Sequence, residues 1–281
     1  IIVIFFWILN KKFFTIGVFD KKIAKELLRI GIPLLPTFLI YWIFNSMDRI
    51  MITNMLGTKE LGIYSIGSKV AQISTLIYSA FSGGWQYFAF STMRDKDYKY
   101  MIGKVWEVLF VISSCFFVGV FLLKDVIFDI LFVGDYRLGV SVFPYLLFAP
   151  LLQMLYQILG TQFQVEKKTY FSPLMLSLGV FVNLGLNFYL IPIKGIEGAA
   201  IATFTGFVVT VVVSILIVVN IKKLIIFSKR NYLLLVVFAM IFIYFNIKGV
   251  TLITICIGII YLTVCIILYY KEILKLIKKE N

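Results

Sequence analysis

Eight apolar stretches leave this chain few ways to fold. They lie near residues 32–55, 61–88, 101–123, 138–163, 170–191, 197–219, 231–247 and 250–270. A helix needs roughly 20 apolar residues to cross a hydrocarbon core of about 30 Å, and each stretch is close to that length, 231–247 being the shortest. Backbone groups have no water to bond inside lipid, so each stretch is expected to be α-helical. The expected fold class is therefore all-α: a polytopic membrane protein with about eight transmembrane helices. Composition agrees, with 61% of the 281 residues apolar and 15% charged, against about half and about a quarter in a soluble domain. A secreted disulfide scaffold, a disordered chain and an ordinary cytosolic enzyme are excluded. Cys115, Cys256 and Cys265 all sit inside apolar runs and read as small buried hydrophobes. The absence of histidine removes the commonest general base and metal ligand. No Walker loop, metal-ligand cluster or nucleophile with a base is visible, so no cofactor, no metal and no enzymatic activity are expected.

The sequence opens on nine apolar residues, 1–9, with neither a leading basic stretch nor a small-residue cleavage site. They are too few to span, and are expected to end a transmembrane helix whose start is missing. The chain would then be the C-terminal portion of a larger membrane protein. Residues 10–30 follow as a basic link.

Charge sets the orientation. With eight spans, the connections 10–30, 93–104, 164–168, 220–231 and 271–281 share one side and hold 20 Lys and Arg, while 57–60, 124–137, 192–198 and 246–249 hold 5. The rich side is expected to be cytoplasmic, with the C-terminus and its amphipathic basic tail on it. The net charge of +13 thus reports topology, and no nucleic-acid partner is expected. Lys124–Phe132 alternates charged and apolar residues at helical spacing and is expected to lie along the interface. Gly83-Gly84 is expected to break the second span.

The two remaining cations, Arg49 and Lys69, lie inside spans. A charge at mid-membrane costs about 2.5–3.5 kcal/mol on insertion scales, so such residues point to function. Asn45 and Arg49 share a face of the first span, with Asp48 about 100° round from Arg49. Ser65, Ser68, Lys69, Gln72, Thr75 and Ser79 form one polar stripe on the second. A tight turn, Gly57-Thr58-Lys59-Glu60, makes the two spans antiparallel neighbours. Arg49 and Lys69 then sit at similar depth, about 12–14 Å from the outer end. Two cations at one depth make a candidate anion site. The alternative is that Asp48 clamps Lys69 across the helices, which leaves Arg49 unexplained.

Weaker stripes follow. Gln153, Gln157, Gly160, Thr161 and Gln164 share a face, as do Asn183 with Asn187, and Gly206, Thr210 and Ser214. Small residues and amides at this spacing pack helices together or line a wet lumen. Pro33, Pro36, Pro144 and Pro150 bend helices in static bundles and moving transporters alike. The last two spans are almost without polar residues and read as a peripheral pair, 220–281, beside a six-helix unit, 31–219.

Several motifs carry a resemblance. Asn45-Ser46-Met47-Asp48-Arg49-Ile50, Leu56-Gly57, Gly62-Ile63-Tyr64-Ser65 and Lys69-Val70-Ala71 resemble a pattern of bacterial oligosaccharide flippases. These are polysaccharide-biosynthesis proteins of O-antigen and capsule type, in the exporter superfamily that includes multidrug extruders and lipid II flippases. Phe81 through Phe88, with Trp85-Gln86, and Gly195-Ile196-Glu197-Gly198-Ala199-Ala200 add to it, Tyr87 standing where the family often has Pro. The resemblance covers about 25–220. It implies two six-helix lobes, this chain supplying the second, with 10–30 as the cytoplasmic link between them.

The resemblance also implies a substrate: undecaprenyl-pyrophosphate-linked oligosaccharide, moved from the cytoplasmic to the outer leaflet of the bacterial inner membrane. On that reading Arg49 and Lys69 hold the pyrophosphate, Asn45 and Gln72 support it, and Asp48 couples transport to an ion or proton. Tyr41, Trp42, Tyr64 and Trp85 stack on sugars, bracket the lipid tail, or simply pack. The expected partners are that lipid, membrane lipids and the other lobe. A multidrug cation extruder would want an acidic cavity, against the sign of charge here. A lipid II flippase is closer, and a polymerase or ligase would carry a large outer loop.

Overall fold

The computed structural model describes residues 2–11, 20–32 and 35–278. The last part of the C-terminal tail, residues 279–281, residues 12–19 of the basic link and Pro33 lie outside the described residues. The described residues are helical and form no strand: α1 Ile2–Leu9, α2 Lys21–Gly31, α3 Leu35–Leu56, α4 Thr58–Ala71, α5 Ile73–Ser91, α6 Tyr98–Leu131, a 3₁₀ segment Gly134–Ser141, α7 Phe143–Val165, α8 Phe171–Ile215 with a π-helical end Leu216–Ile221, α9 Lys229–Lys248 and α10 Leu252–Lys278. The chain is an all-α, multi-pass membrane protein. Among the described residues five helices are long and apolar enough to cross a membrane: α6, α7, α8 with its π end, α9 and Leu252–Tyr270 of α10.

The expected spans map onto these helices once two joints are recognised. α8 is two helices meeting at Gly195, whose φ of 60° and ψ of −140° are left-handed and suit a residue without Cβ. The two arms fold back antiparallel. Asn183 on the first arm bonds Thr203 on the second, and Gly179 lies so close to Gly206 that a Cβ at 179 would fall 2.5 Å from the Gly206 carbonyl oxygen. The second joint divides the expected span 61–88, at Gln72 between α4 and α5. There the Gln72 N–H is shared between the Ser68 and Lys69 carbonyls, at 3.1 and 3.2 Å, and the Ser74 hydroxyl donates to the Ala71 carbonyl. A side chain competing for backbone groups loosens a helix at that point.

Two expectations are corrected. Gly83-Gly84 does not break the second span; α5 runs through both to Ser91, since a glycine costs a helix only about 1 kcal/mol. Lys124–Phe132 is no separate interfacial segment: all but Phe132 form the last turns of α6. Arg137 donates to the carbonyls of Phe132 and Asp129 at 3.0 and 3.2 Å, giving the helix end the donors it lacks.

α7 is the central rod, buried along most of its length and packed against α8, α5, α6 and α4. α3 lies on α8. The terminal pair attaches through rings: Phe242 of α9 stacks on Phe204 of α8 at 4.2 Å and meets Phe117 of α6 at 5.1 Å. α10 runs along α6, with the Tyr261 hydroxyl bonded to Ser114.

Two exposed ion pairs tie the ends of the bundle. Lys59 at the start of α4 meets Asp135 of the 3₁₀ segment at 2.8 Å. This bond holds the Asp135 carboxyl below its ordinary range and lifts Lys59 above its own. At the other end Lys167 meets Glu26 of α2 at 2.9 Å and lowers the Glu26 carboxyl.

Candidate functional site

The polar residues of α3 divide between a cavity and a buried cage. The cavity, of about 780 Å³, lies where α3, the α4–α5 joint, α7 and the second arm of α8 converge. Asn45, Arg49, Lys69 and Gln72 all line it, so the structure brings the four predicted binding residues together. Arg49 reaches α4, its Nη2 donating to the Ser68 hydroxyl at 3.4 Å. Asn45 donates to the Tyr41 carbonyl at 2.7 Å. The joint at Gln72 places Ser68, Lys69, Thr75 and Leu76 on the same wall, and Gln153 comes from α7. Sequence periodicity found the cations, because a charge inside an apolar run stands out.

Asp48 also borders the cavity but is 3% exposed, and its carboxylate points into the protein. Asn187 donates to Oδ1 at 2.7 Å and Asn183 at 3.5 Å. Tyr64 donates to Oδ2 at 2.9 Å, and the Thr203 hydroxyl donates to the same oxygen. Neutral donors from α4 and both arms of α8 thus satisfy the carboxylate. The interhelical clamp between Asp48 and Lys69 does not form, so Asp48 does not cancel the cations by direct pairing. Glu107 is committed at the far end of α6, to Lys104, Arg230 and the Tyr269 hydroxyl. One polar atom of the cage is left over: Asn187 Oδ1 is buried with no hydrogen-bond partner.

The aromatic candidates scatter. Tyr64 is buried, with its hydroxyl in the Asp48 cage. Trp85 lies outside the cavity wall; its indole N–H donates to Thr161 at 3.0 Å and joins α5 to α7. Trp42 is exposed on α3 beside Phe38 and Leu39, and Tyr41 is half-buried. The amide stripes divide as well. Gln157 bonds Ser82 and packs α7 on α5, Gln153 faces the cavity, and Asn183 and Asn187 hold Asp48. Thr203 carried no signal in the sequence, since a lone threonine in a helix is common. Among the described residues no group of three His, Cys, Asp or Glu comes together as a metal site.

Residues 1–141 match a family model described as polysaccharide biosynthesis protein. The match spans α1 through the 3₁₀ segment and includes Asn45, Asp48, Arg49, Lys69 and Gln72. No curated protein and no solved structure matched. With half of its length matched and the cationic wall inside that half, the chain belongs to the polysaccharide biosynthesis protein family.

Proposed function

We propose that the protein is a flippase of the O-antigen and capsule type, supplying the second lobe of a transporter. It carries undecaprenyl-pyrophosphate-linked oligosaccharide from the cytoplasmic to the outer leaflet of the bacterial inner membrane. The observation that carries this reading is the sign of the cavity. Arg49 and Lys69 line it, while the single carboxylate in its wall is turned into a cage of neutral donors. A pyrophosphate leaving water needs such cations, and a guanidinium can hold two of its oxygens at once. Asn45 and Gln72 add amide donors. Beside the cavity Phe38, Leu39, Trp42 and Leu76 are exposed, an apolar rim suited to a second lobe or to the polyprenyl tail.

Transport by alternating access would rock one lobe against the other. Asp48 is the coupling group on this reading. It joins α3, α4 and both arms of α8, and the spare Asn187 oxygen beside it can accept from a proton-bearing group or face a cation. No enzymatic step is invoked. The C-terminus would lie in the cytoplasm. The same chemistry would serve a lipid II flippase, whereas a drug-cation extruder is disfavoured by Arg49 and Lys69.

The test is a binding titration on the full-length transporter in nanodiscs. Undecaprenyl pyrophosphate, undecaprenol and a lipophilic cation would be compared on wild type and Arg49→Ala/Lys69→Ala. Tight binding of the pyrophosphate alone, lost in the double variant, is expected. Indifference to the pyrophosphate, or preference for the cation, would overturn the reading.

A further inference from the structure

α6, the strap 222–228 and the start of α9 meet at the Lys/Arg-rich end, and none of their residues lines the cavity. The strap is fixed on α6. Ile226 N–H donates to the Lys99 carbonyl at 3.2 Å, and Lys99 Nζ donates back to the Lys223 carbonyl at 2.9 Å. Gly103 lets the strap sit against the helix, since a Cβ there would fall 2.1 Å from the Ile226 oxygen.

Five buried polar atoms on these elements have no hydrogen-bond partner: the Tyr98 and Ser113 hydroxyls of α6, which can donate or accept, and Trp106 Nε1, Arg230 Nη2 and Asn231 Nδ2, which can only donate. Trp106 is 0% exposed and Asn231 1%. The Asn231 amide cannot be turned round to cure this. Its Oδ1 accepts from the Ser228 backbone N–H at 3.1 Å and from the Ser228 hydroxyl at 2.6 Å, capping α9. That bond holds the spare NH₂ at the N-terminus of a 20-residue helix, where the helix dipole is positive. Trp106 approaches the same end, its ring 4.7 Å from Phe227. Leaving a buried donor unmade is unfavourable, and the three nitrogen groups can only donate. What is missing is an acceptor with several oxygens.

The surrounding charge has the matching sign. Segments 95–107 and 222–230 carry seven Lys and Arg against Asp95, Asp97 and Glu107. Glu107 is already matched by Lys104 at 3.3 Å and Arg230 at 3.5 Å. Beyond the first turn of α9 the exposed residues Leu233 and Val236 are apolar, a wall against which acyl chains can lie. Basic pockets between membrane helices bind phospholipid headgroups in this way.

We infer that Trp106, Arg230 and Asn231 form a phosphate site at the α6–α9 corner, taking the phosphodiester of an anionic phospholipid and holding the α9–α10 pair to the lobe. The site is independent of the flippase reading.

The test compares lipid retention by the full-length protein in nanodiscs of mixed phosphatidylglycerol and phosphatidylcholine, read by native mass spectrometry as the ratio of the two lipids. Phosphatidylglycerol should be retained in preference. Asn231→Asp keeps the capping oxygen, removes the donor and adds a like charge facing the phosphate, so the ratio should fall by at least about tenfold, the worth of one hydrogen bond to a charged group. Trp106→Phe keeps a ring against Phe110 and loses only the N–H, and should lower the ratio severalfold. Lys194→Gln, at the opposite end, should leave it unchanged. A general loosening of the fold would lower both lipids together and not their ratio. Inorganic phosphate in phosphatidylcholine discs is the second arm. Protection of wild type but not Asn231→Asp from thermal unfolding by phosphate, without phosphatidylglycerol preference, would support the site with free phosphate as its ligand. Equal retention of the two lipids with no phosphate protection, or an Asn231→Asp ratio equal to wild type, would overturn the proposal.

Discussion

The amide nitrogen of Asn187, on the first arm of α8, lies 2.7 Å from Oδ1 of Asp48 on α3. This is the shorter of the two amide contacts to that oxygen, and both residues are almost wholly buried. Asn187→Leu should therefore leave a buried carboxylate short of a donor and destabilise the fold by about 2 kcal/mol. Asp48→Leu/Asn187→Leu should be less damaging than the sum of the single changes, because it removes the charge that needed the donor. Denaturation of the three variants in mixed micelles checks this. Additive losses would mean that the pair is not coupled.

That contact also marks where the sequence stops being legible. Arg49 and Lys69 could be placed at one depth because the Gly57 turn fixes two antiparallel helices and the rise per residue does the rest. The carboxylate beside them could not be given its partners. Tyr64, Asn183, Asn187 and Thr203 come from up to 155 residues away, and helical periodicity says which face a residue shares, not what faces it. Trp85 stays open in the sequence between stacking on a sugar and packing for the same reason: its partner Thr161 lies 76 residues away. The all-α, multi-pass class was legible because it depends on length and polarity alone, while of the eight expected spans five helices among the described residues are long and apolar enough to cross, α8 holding two of the expected spans. The Gln72 joint was not legible. Glycine is the usual punctuation, and a serine hydroxyl two residues past the joint leaves little trace in composition.

The two cavity cations should contribute separately to anion binding. Arg49→Ala and Lys69→Ala should each weaken binding of undecaprenyl pyrophosphate by about tenfold, the worth of one charge-assisted hydrogen bond. Arg49→Lys should recover only part of the loss, because an ammonium cannot hold two oxygens in a plane. Both effects should shrink in high salt only to the extent that the cavity is open to water. Titration calorimetry at two ionic strengths measures this, and equal affinity for Arg49→Lys and wild type would exclude bidentate contact.

Glu26 and Lys167 predict a pH-dependent tether. The Lys167 hydrogen bond and charge, with a smaller contribution from Arg29, hold the folded Glu26 pKa below its unfolded value. The tie is thus fully present above the unfolded pKa of about 4.3 and is lost as pH falls through the lowered folded value. Spin labels at Leu28 and Tyr170 should give a narrow distance distribution at neutral pH that broadens in acid. Glu26→Gln should be broad at neutral pH already. A distribution indifferent to both changes would mean that packing alone holds α2.

Orientation can be read by labelling. In a cysteine-free background, single cysteines at Lys96 and Lys222 should react with a membrane-impermeant maleimide only after the cells are opened. Cysteines at Asp135 and Lys194 should react from outside. The prediction rests on the 20-to-5 partition of Lys and Arg between the two sides. Labelling of all four from one side would show that the number of crossings between them differs from the one inferred.

The α8 hairpin should be the least forgiving part of the fold. Gly179 and Gly206 let its two arms touch. A Cβ at 179 would lie 1.9 Å from Thr210 Oγ1 and 2.5 Å from the Gly206 carbonyl oxygen, and one at 206 would lie 2.7 Å from the Gly179 oxygen. The hydroxyl could rotate away, but the carbonyls belong to helix backbone and cannot move without parting the arms. Gly179→Val should therefore destabilise the protein by about 3 kcal/mol. Parting the arms also moves Thr203 relative to Asn183 and Asn187, so the Asp48 cage should open with them. Hydrogen exchange at residues 179–206, on wild type and the variant, measures both effects. Fast exchange confined to 179 and its neighbours would mean that the cage is held by α3 and α4 instead.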